Sequence, residues 1–168
     1  MRIIIGVKGN KIQAFPHRRI ERITSYGREL DFFDLKEGTI IDTLDDELFR
    51  VYPEEYHKEN ALKTFGLNQF EEMVKLERFW ELHEVLEHYW SQAESINKKI
   101  LKALIGIMVS QVKWQMSQYN TSERILNRTI CELEQLTGMK KENILKVSSY
   151  PVVLSENFMS SVTQIYIK

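Results

Sequence analysis

His83, Glu84 and Glu87 stand within five residues of one another, in the run Phe79-Trp80-Glu81-Leu82-His83-Glu84-Val85-Leu86-Glu87-His88-Tyr89-Trp90. On a helix, His83 and Glu87 are i,i+4 neighbours whose side chains can meet. At about 100° per residue they fall on a broad face with Leu76, Phe79, Trp80, Leu82, Leu86 and Trp90, where patterning ordinarily places leucine. Glu81, Glu84 and His88 project on the other side. Ionisable groups on a core-facing stripe need a partner, because burying one alone is costly. Three readings follow. His83 and Glu87 form a hydrogen-bonded structural pair, or they share a divalent metal such as zinc, or they do acid–base chemistry without metal on a bound substrate. Glu84 and His88 form a second i,i+4 pair, read as an exposed salt bridge.

Two familiar metal templates are excluded. The H-E-x-x-H pattern requires histidine where Glu87 stands, and the E-x-x-H pattern of di-iron bundles is missing from the expected helices.

The elements that must position this motif are helical. Between Pro53 and Pro151 there is no proline, and apolar residues recur every three or four positions. The spacing predicts helices near 58–65, 68–75, 77–91, 97–117, 121–137 and 140–148. Asn68 is placed as an N-cap, Asn120 with Glu123 as a capping box, and Gly138 as the glycine ending the fifth helix. Ala103, Gly106 and Ser110 give a small-residue stripe for the helix of Trp80 and Trp90 to pack against. Lys113, one step further along that stripe, is expected to approach Glu87 as a counter-ion.

The first 56 residues differ. They hold Pro16, Pro53 and four glycines among short apolar runs without helical period. Strands are expected at 2–7, 11–15, 20–25, 39–43 and 48–51, with Gly9-Asn10 turning the first pair and Asp45-Asp46 the last. After Pro151 the pattern is mixed: Val152-Val153-Leu154 and Gln164-Ile165-Tyr166-Ile167 read as strands and Asn157–Val162 as a helix turn, so strand and helix both stay open for the tail. The expected fold is therefore mainly α, an antiparallel helical bundle with a small β-rich N-terminal unit and α+β overall. The divisions are 1–56, 57–150 and a tail 151–168.

Composition narrows the partners. The 168 residues carry a net charge of -1, which gives no global attraction to nucleic acid or an anionic membrane. Arg18, Arg19, Arg22 and Arg28 are basic and Asp42 to Glu55 acidic, read as two solvated faces rather than a phosphate-binding surface. One cysteine, Cys131, forbids an internal disulfide and suits a reduced, cytoplasmic setting. The apolar run at Ile3–Ile5 is too short for a signal sequence, and no stretch approaches a membrane span. A helix face is available for a homodimer.

The run from Phe79 to Trp90, followed by a helix containing Leu104-Ile105, resembles domain-of-unknown-function family 309 over about residues 70–136. The shared signature is H-E-x-x-E-x-x-W on an aromatic-rich helix. The resemblance implies a helical common part and a metal-dependent hydrolase of unknown substrate, with His83 and Glu87 as metal ligands and Glu84 as general base. This chain departs from the family pattern with Ala103 and Gly106 around Leu104-Ile105, and with Lys113 where the family has a second-helix histidine. A lysine ammonium has no lone pair for a metal. The alternative is a non-catalytic binding or scaffold module in which His83 and Glu87 form a buried structural pair.

Overall fold

The computed structural model describes residues 3–7, 19–32, 48–53 and 67–166. The expected segments 11–15, 39–43 and 58–65, both proposed turns and Arg18 lie outside them. The chain divides into two compact units, Met1–Asn60 with Gln115–Ser117, and Ala61–Trp114 with Gln118–Lys168.

The first unit holds an antiparallel four-stranded sheet. Its strands are β1 (Ile3–Val7), β2 (Arg19–Thr24), β3 (Gly27–Phe32) and β4 (Leu48–Pro53), in the order β2-β3-β1-β4. β1 is central, pairing with β3 on one edge and β4 on the other, with an irregularity at Gly6/Val7. Strand β3 was not expected from the sequence, because Arg28, Glu29 and Asp31 dilute its apolar pattern. Cross-strand pairing makes it a strand: Ser25-Tyr26 close a hairpin, Gly27 takes φ 138°, and Thr24 Oγ1 donates to the Gly27 carbonyl at 2.9 Å. Register sets Arg22 opposite Glu29, each 1% exposed, while Arg28 is ion-paired to Glu21 at 2.6 Å. Three of the four arginines in the basic stretch, Arg19, Arg22 and Arg28, thus lie on strands of the sheet.

The second unit is helical: α1 (Leu67–Lys75), α2 (Phe79–Gln92), α3 (Ser95–Gln115), α4 (Tyr119–Thr137), α5 (Lys141–Ile144) and α6 (Glu156–Tyr166). A small antiparallel pair, β5 (Leu145–Val147) and β6 (Val153–Leu154), separates the last two. The chain is mainly α and α+β overall. The expected helix over 140–148 stops at Ile144, where Leu145 turns extended and pairs with Leu154. In the tail Val153–Leu154 is strand, and the helix Glu156–Tyr166 takes in the expected helix turn at 157–162 and runs on through Gln164–Tyr166, where a strand was the expectation.

Two expected caps are corrected. Leu67 already opens α1, so Asn68 lies inside it, and α4 begins at Tyr119 with no side-chain cap. Ser117 at φ 59° turns the chain early enough for Ser122 N–H to donate to Gln118 O. Gly138 does end α4 in the left-handed conformation, its N–H donating to Glu134 O.

The core is built from Phe79, Leu82, Leu101, Leu104, Ile107, Met108, Ile130, Leu133 and Phe158, all nearly inaccessible. The small-residue stripe of α3 faces α4, not the tryptophans of α2. A Cβ on Gly106 would come within 2.6 Å of Thr129 Oγ1, and Ser122 Oγ donates to the Ser110 carbonyl at 2.7 Å. Going forward from 106 to 110 on α3 runs backward from 129 to 122 on α4, so the two helices are antiparallel. The side chains explain the change of partner: β-branched Thr129 and small Ser122 let the backbones approach, which bulky Trp80 and Trp90 do not.

Gly106→Leu should therefore overpack the α3–α4 contact and destabilise by about 1–3 kcal/mol in urea melts. Adding Thr129→Ala should recover part of the loss. A neutral Gly106→Leu would show that the helices are not in contact there.

Candidate functional site

The motif residues lie on α2, but α2 is rotated relative to the sequence expectation. Its buried residues are Phe79, Glu81, Leu82, Val85 and Leu86. His83 and Glu84 are half-buried, and Glu87 is exposed. The expected buried His83–Glu87 pair is therefore not formed. Glu87 makes no hydrogen bond or ion pair with any described residue, and the Lys113 counter-ion is not at hand. The reason is in the flanks of the apolar arc. Leu82, Leu86 and Phe79 fix its middle, and the neighbouring elements bury the Val85–Glu81 flank, leaving Trp80, His83, Glu84 and Glu87 as a ridge at i, i+3, i+4 and i+7.

Glu81, expected on the polar side, can be buried because Arg78 stands three residues before it. Arg78 Nη2 donates to Glu81 Oε1 at 2.8 Å, with side-chain exposures of 10% and 6%. Glu77 precedes them at 2% exposure and φ 55°, where its N–H donates to Val74 O and that of Arg78 to Met73 O as the chain leaves α1. The Tyr150 hydroxyl donates to Glu77 Oε2. Tyr150 also stacks on Trp114, with centroids 5.4 Å apart and planes 7° apart, and meets Phe79 edge-on. Nearby in sequence, Val152 N–H donates to Gln111 Oε1 at 2.8 Å, and Gln111 Nε2 to Ser110 Oγ. These hydrogen bonds and the ring stack hold residues 150–152 against α3 and the α1–α2 junction.

Sequence reasoning missed Glu77, Arg78, Glu81, Gln111 and Tyr150. The i,i+3 spacing of Arg78 and Glu81 around Phe79 was a usable signal for one pair. Nothing local links Glu77 to Tyr150, 73 residues away.

On the ridge, the side chains orient one another. His83 Nδ1 contacts the Trp80 carbonyl, and since a carbonyl has no proton to give, Nδ1 is the donor. In the neutral ring this leaves the lone pair on Nε2. The Trp80 ring meets the imidazole edge-on at 5.0 Å, and Trp80 Nε1 donates to Glu84 Oε1 at 3.2 Å. Glu84 does not bridge to His88, whose Nε2 accepts from Gln92 Nε2 at 2.9 Å. Burial pushes the Tyr89 phenol above its ordinary value, so it remains neutral at physiological pH and adds no charge to α2. Trp90, the last motif position, has Lys98 Nζ over its ring at 5.0 Å.

As a metal centre the arrangement supplies too few ligands. His83 and Glu87 are two where three protein ligands are usual. Among the described residues, no three His, Cys, Asp or Glu side chains cluster closely enough to hold an ion. Among the described residues, no helix is long and apolar enough to cross a membrane.

Arg78→Ala should leave Glu81 buried without its cation and destabilise by about 3–5 kcal/mol, whereas Arg78→Met with Glu81→Leu should cost much less. Denaturant melts of the two variants give the comparison. Equal losses in both would show that the pair is not the cause. Tyr150→Phe removes one donor from Glu77 and should cost about 1–3 kcal/mol in the same assay.

No curated protein and no solved structure gave a significant match to the chain. A family model does match, and it covers α1, α2, α3 and the first residues of α4. Residues 67–125 match the family described as Domain of unknown function (DUF309), and the chain resembles that family across this helical segment.

Proposed function

We propose that the helical unit is a non-catalytic recognition module whose contact surface is the α2 ridge of Trp80, His83, Glu84 and Glu87. One observation carries this reading: Trp80, His83 and Glu84 hold one another in place on one face of α2, and Glu87 beside them is exposed. Trp80 fixes His83 through its carbonyl and Glu84 through its indole N–H. Groups held in place before binding lose less entropy when a ligand arrives. The residues first considered as a buried structural pair thus act on the surface, and the structural role passes to Arg78 with Glu81 and to Glu77 with Tyr150.

A second reading is the metal-dependent hydrolase, with His83 and Glu87 as ligands and Glu84 as base. The observation in its favour is the tautomer of His83. Metal-bound imidazoles are commonly held through the other ring nitrogen by a carbonyl or carboxylate, and Nδ1 is so held here. Against it stand the absence of a third ligand among the described residues and the engagement of Glu84 by Trp80.

Elemental analysis of protein purified without chelator separates the two. The recognition module predicts substoichiometric zinc, manganese and iron, unchanged in His83→Ala, and a melting temperature that chelator does not move. Hydrolysis of chromogenic esters and phosphates should run no faster than with His83→Ala. Stoichiometric metal lost in His83→Ala would replace this reading with the hydrolase.

A further inference from the structure

Helix α3 carries lysines at 98, 99, 102 and 113 and no carboxylate. Lys98, Lys99 and Lys102 crowd its N-terminal end within about 100° of its circumference. Lys99 and Lys102 are exposed, Lys98 is half-buried, and none of the three is in an ion pair with a described residue. Cations in the first turns oppose the helix macrodipole, so this placement does not serve the helix itself. Glu94 is the one carboxylate between Ser91 and Lys102, and the next before it is Glu87 on α2. Beside the lysines stands Ile96, 46% exposed. At spacings of four, seven and eleven it shares a helix face with Ile100, Ala103 and Ile107, all of them buried. The apolar stripe of α3 therefore runs on past what covers it. Trp90, half-buried, holds Lys98 Nζ over its ring at 5.0 Å.

The complement of an exposed isoleucine among unpaired cations is a surface that is anionic outside and apolar just beneath. We infer that the α2–α3 turn and the first turns of α3 dock on an anionic lipid surface. Ile96 enters the boundary between headgroups and acyl chains, while Lys98, Lys99 and Lys102 lie at the headgroup phosphates. The net charge of -1 gives the chain no attraction as a whole, so the docking depends on this patch. A nucleic acid would meet the same lysines but gain nothing from Ile96, and lysine lacks the planar fork with which arginine grips a phosphate. The inference is independent of the α2 ridge, because none of the ridge residues belongs to the patch.

The test is flotation of the full chain at low salt with phosphatidylcholine vesicles containing about 30% phosphatidylserine, against vesicles of phosphatidylcholine alone. The protein should float with the anionic vesicles and stay behind with the neutral ones, and added salt should release it. A lysine at such a surface is worth about fivefold in partitioning, so Lys99→Gln with Lys102→Gln should weaken it about thirtyfold. Ile96→Ser should weaken it about fivefold by removing the apolar contact, while leaving binding to heparin unchanged. All three positions are exposed, so circular dichroism and melting curves of these variants should match those of the parent chain. No flotation, equal flotation with both vesicles, or unchanged partitioning of either variant would overturn the assignment. So would single-stranded RNA that displaces the protein from the vesicles and binds Ile96→Ser as well as the parent.

Discussion

A buried charge must be neutralised, and in the helical unit that constraint decides which way α2 faces. Arg78 and Glu81 enter the interior together at the first turn of the helix, 2.8 Å apart. Taking both ions out of water costs several kcal/mol each, and their attraction offsets this only with good geometry. Once Glu81 is inside, the helix has no rotational freedom left. Val85 is drawn in one turn later, Leu82 and Leu86 take the centre, and His83 and Glu87 turn toward solvent. The ion pair is thus less a source of net stability than a device that fixes the rotation of one helix.

The same junction ties distant parts of the unit together. Glu77 leaves α1 in a left-handed conformation that costs about 1–2 kcal/mol for a residue with a Cβ. Its buried carboxylate receives the hydroxyl of Tyr150, whose ring lies flat on Trp114 of α3. One residue of the C-terminal segment therefore touches both the α1–α2 turn and the middle helix. Gln111 adds the Val152 N–H to the same set, so that backbone leaving α5–β5 is satisfied by a side chain of α3. The α3–α4 contact is of another kind: Gly106 and Ser110 remove bulk so that Thr129 and Ser122 sit against the α3 backbone. Polar locking at one end and close backbone approach along the other side together hold the unit.

The periodicity in the sequence was enough to determine the helical character of residues 67–137, the β character of the first strands and the glycine that ends α4. Helix propensity and apolar spacing are local, and local signals survive in a single chain. The resemblance over Phe79–Trp90 was legible for the same reason, since a short motif on one helix needs no long-range information. What tertiary structure decided was the rotation of α2, the partner of the α3 stripe, the pairing of β3 and the bond between Glu77 and Tyr150. An apolar arc wider than the buried face can roll to either side, and only the neighbours choose. Here a cation at Arg78 made the Glu81 side the one that could be buried, so the histidine and glutamate first read as core became surface.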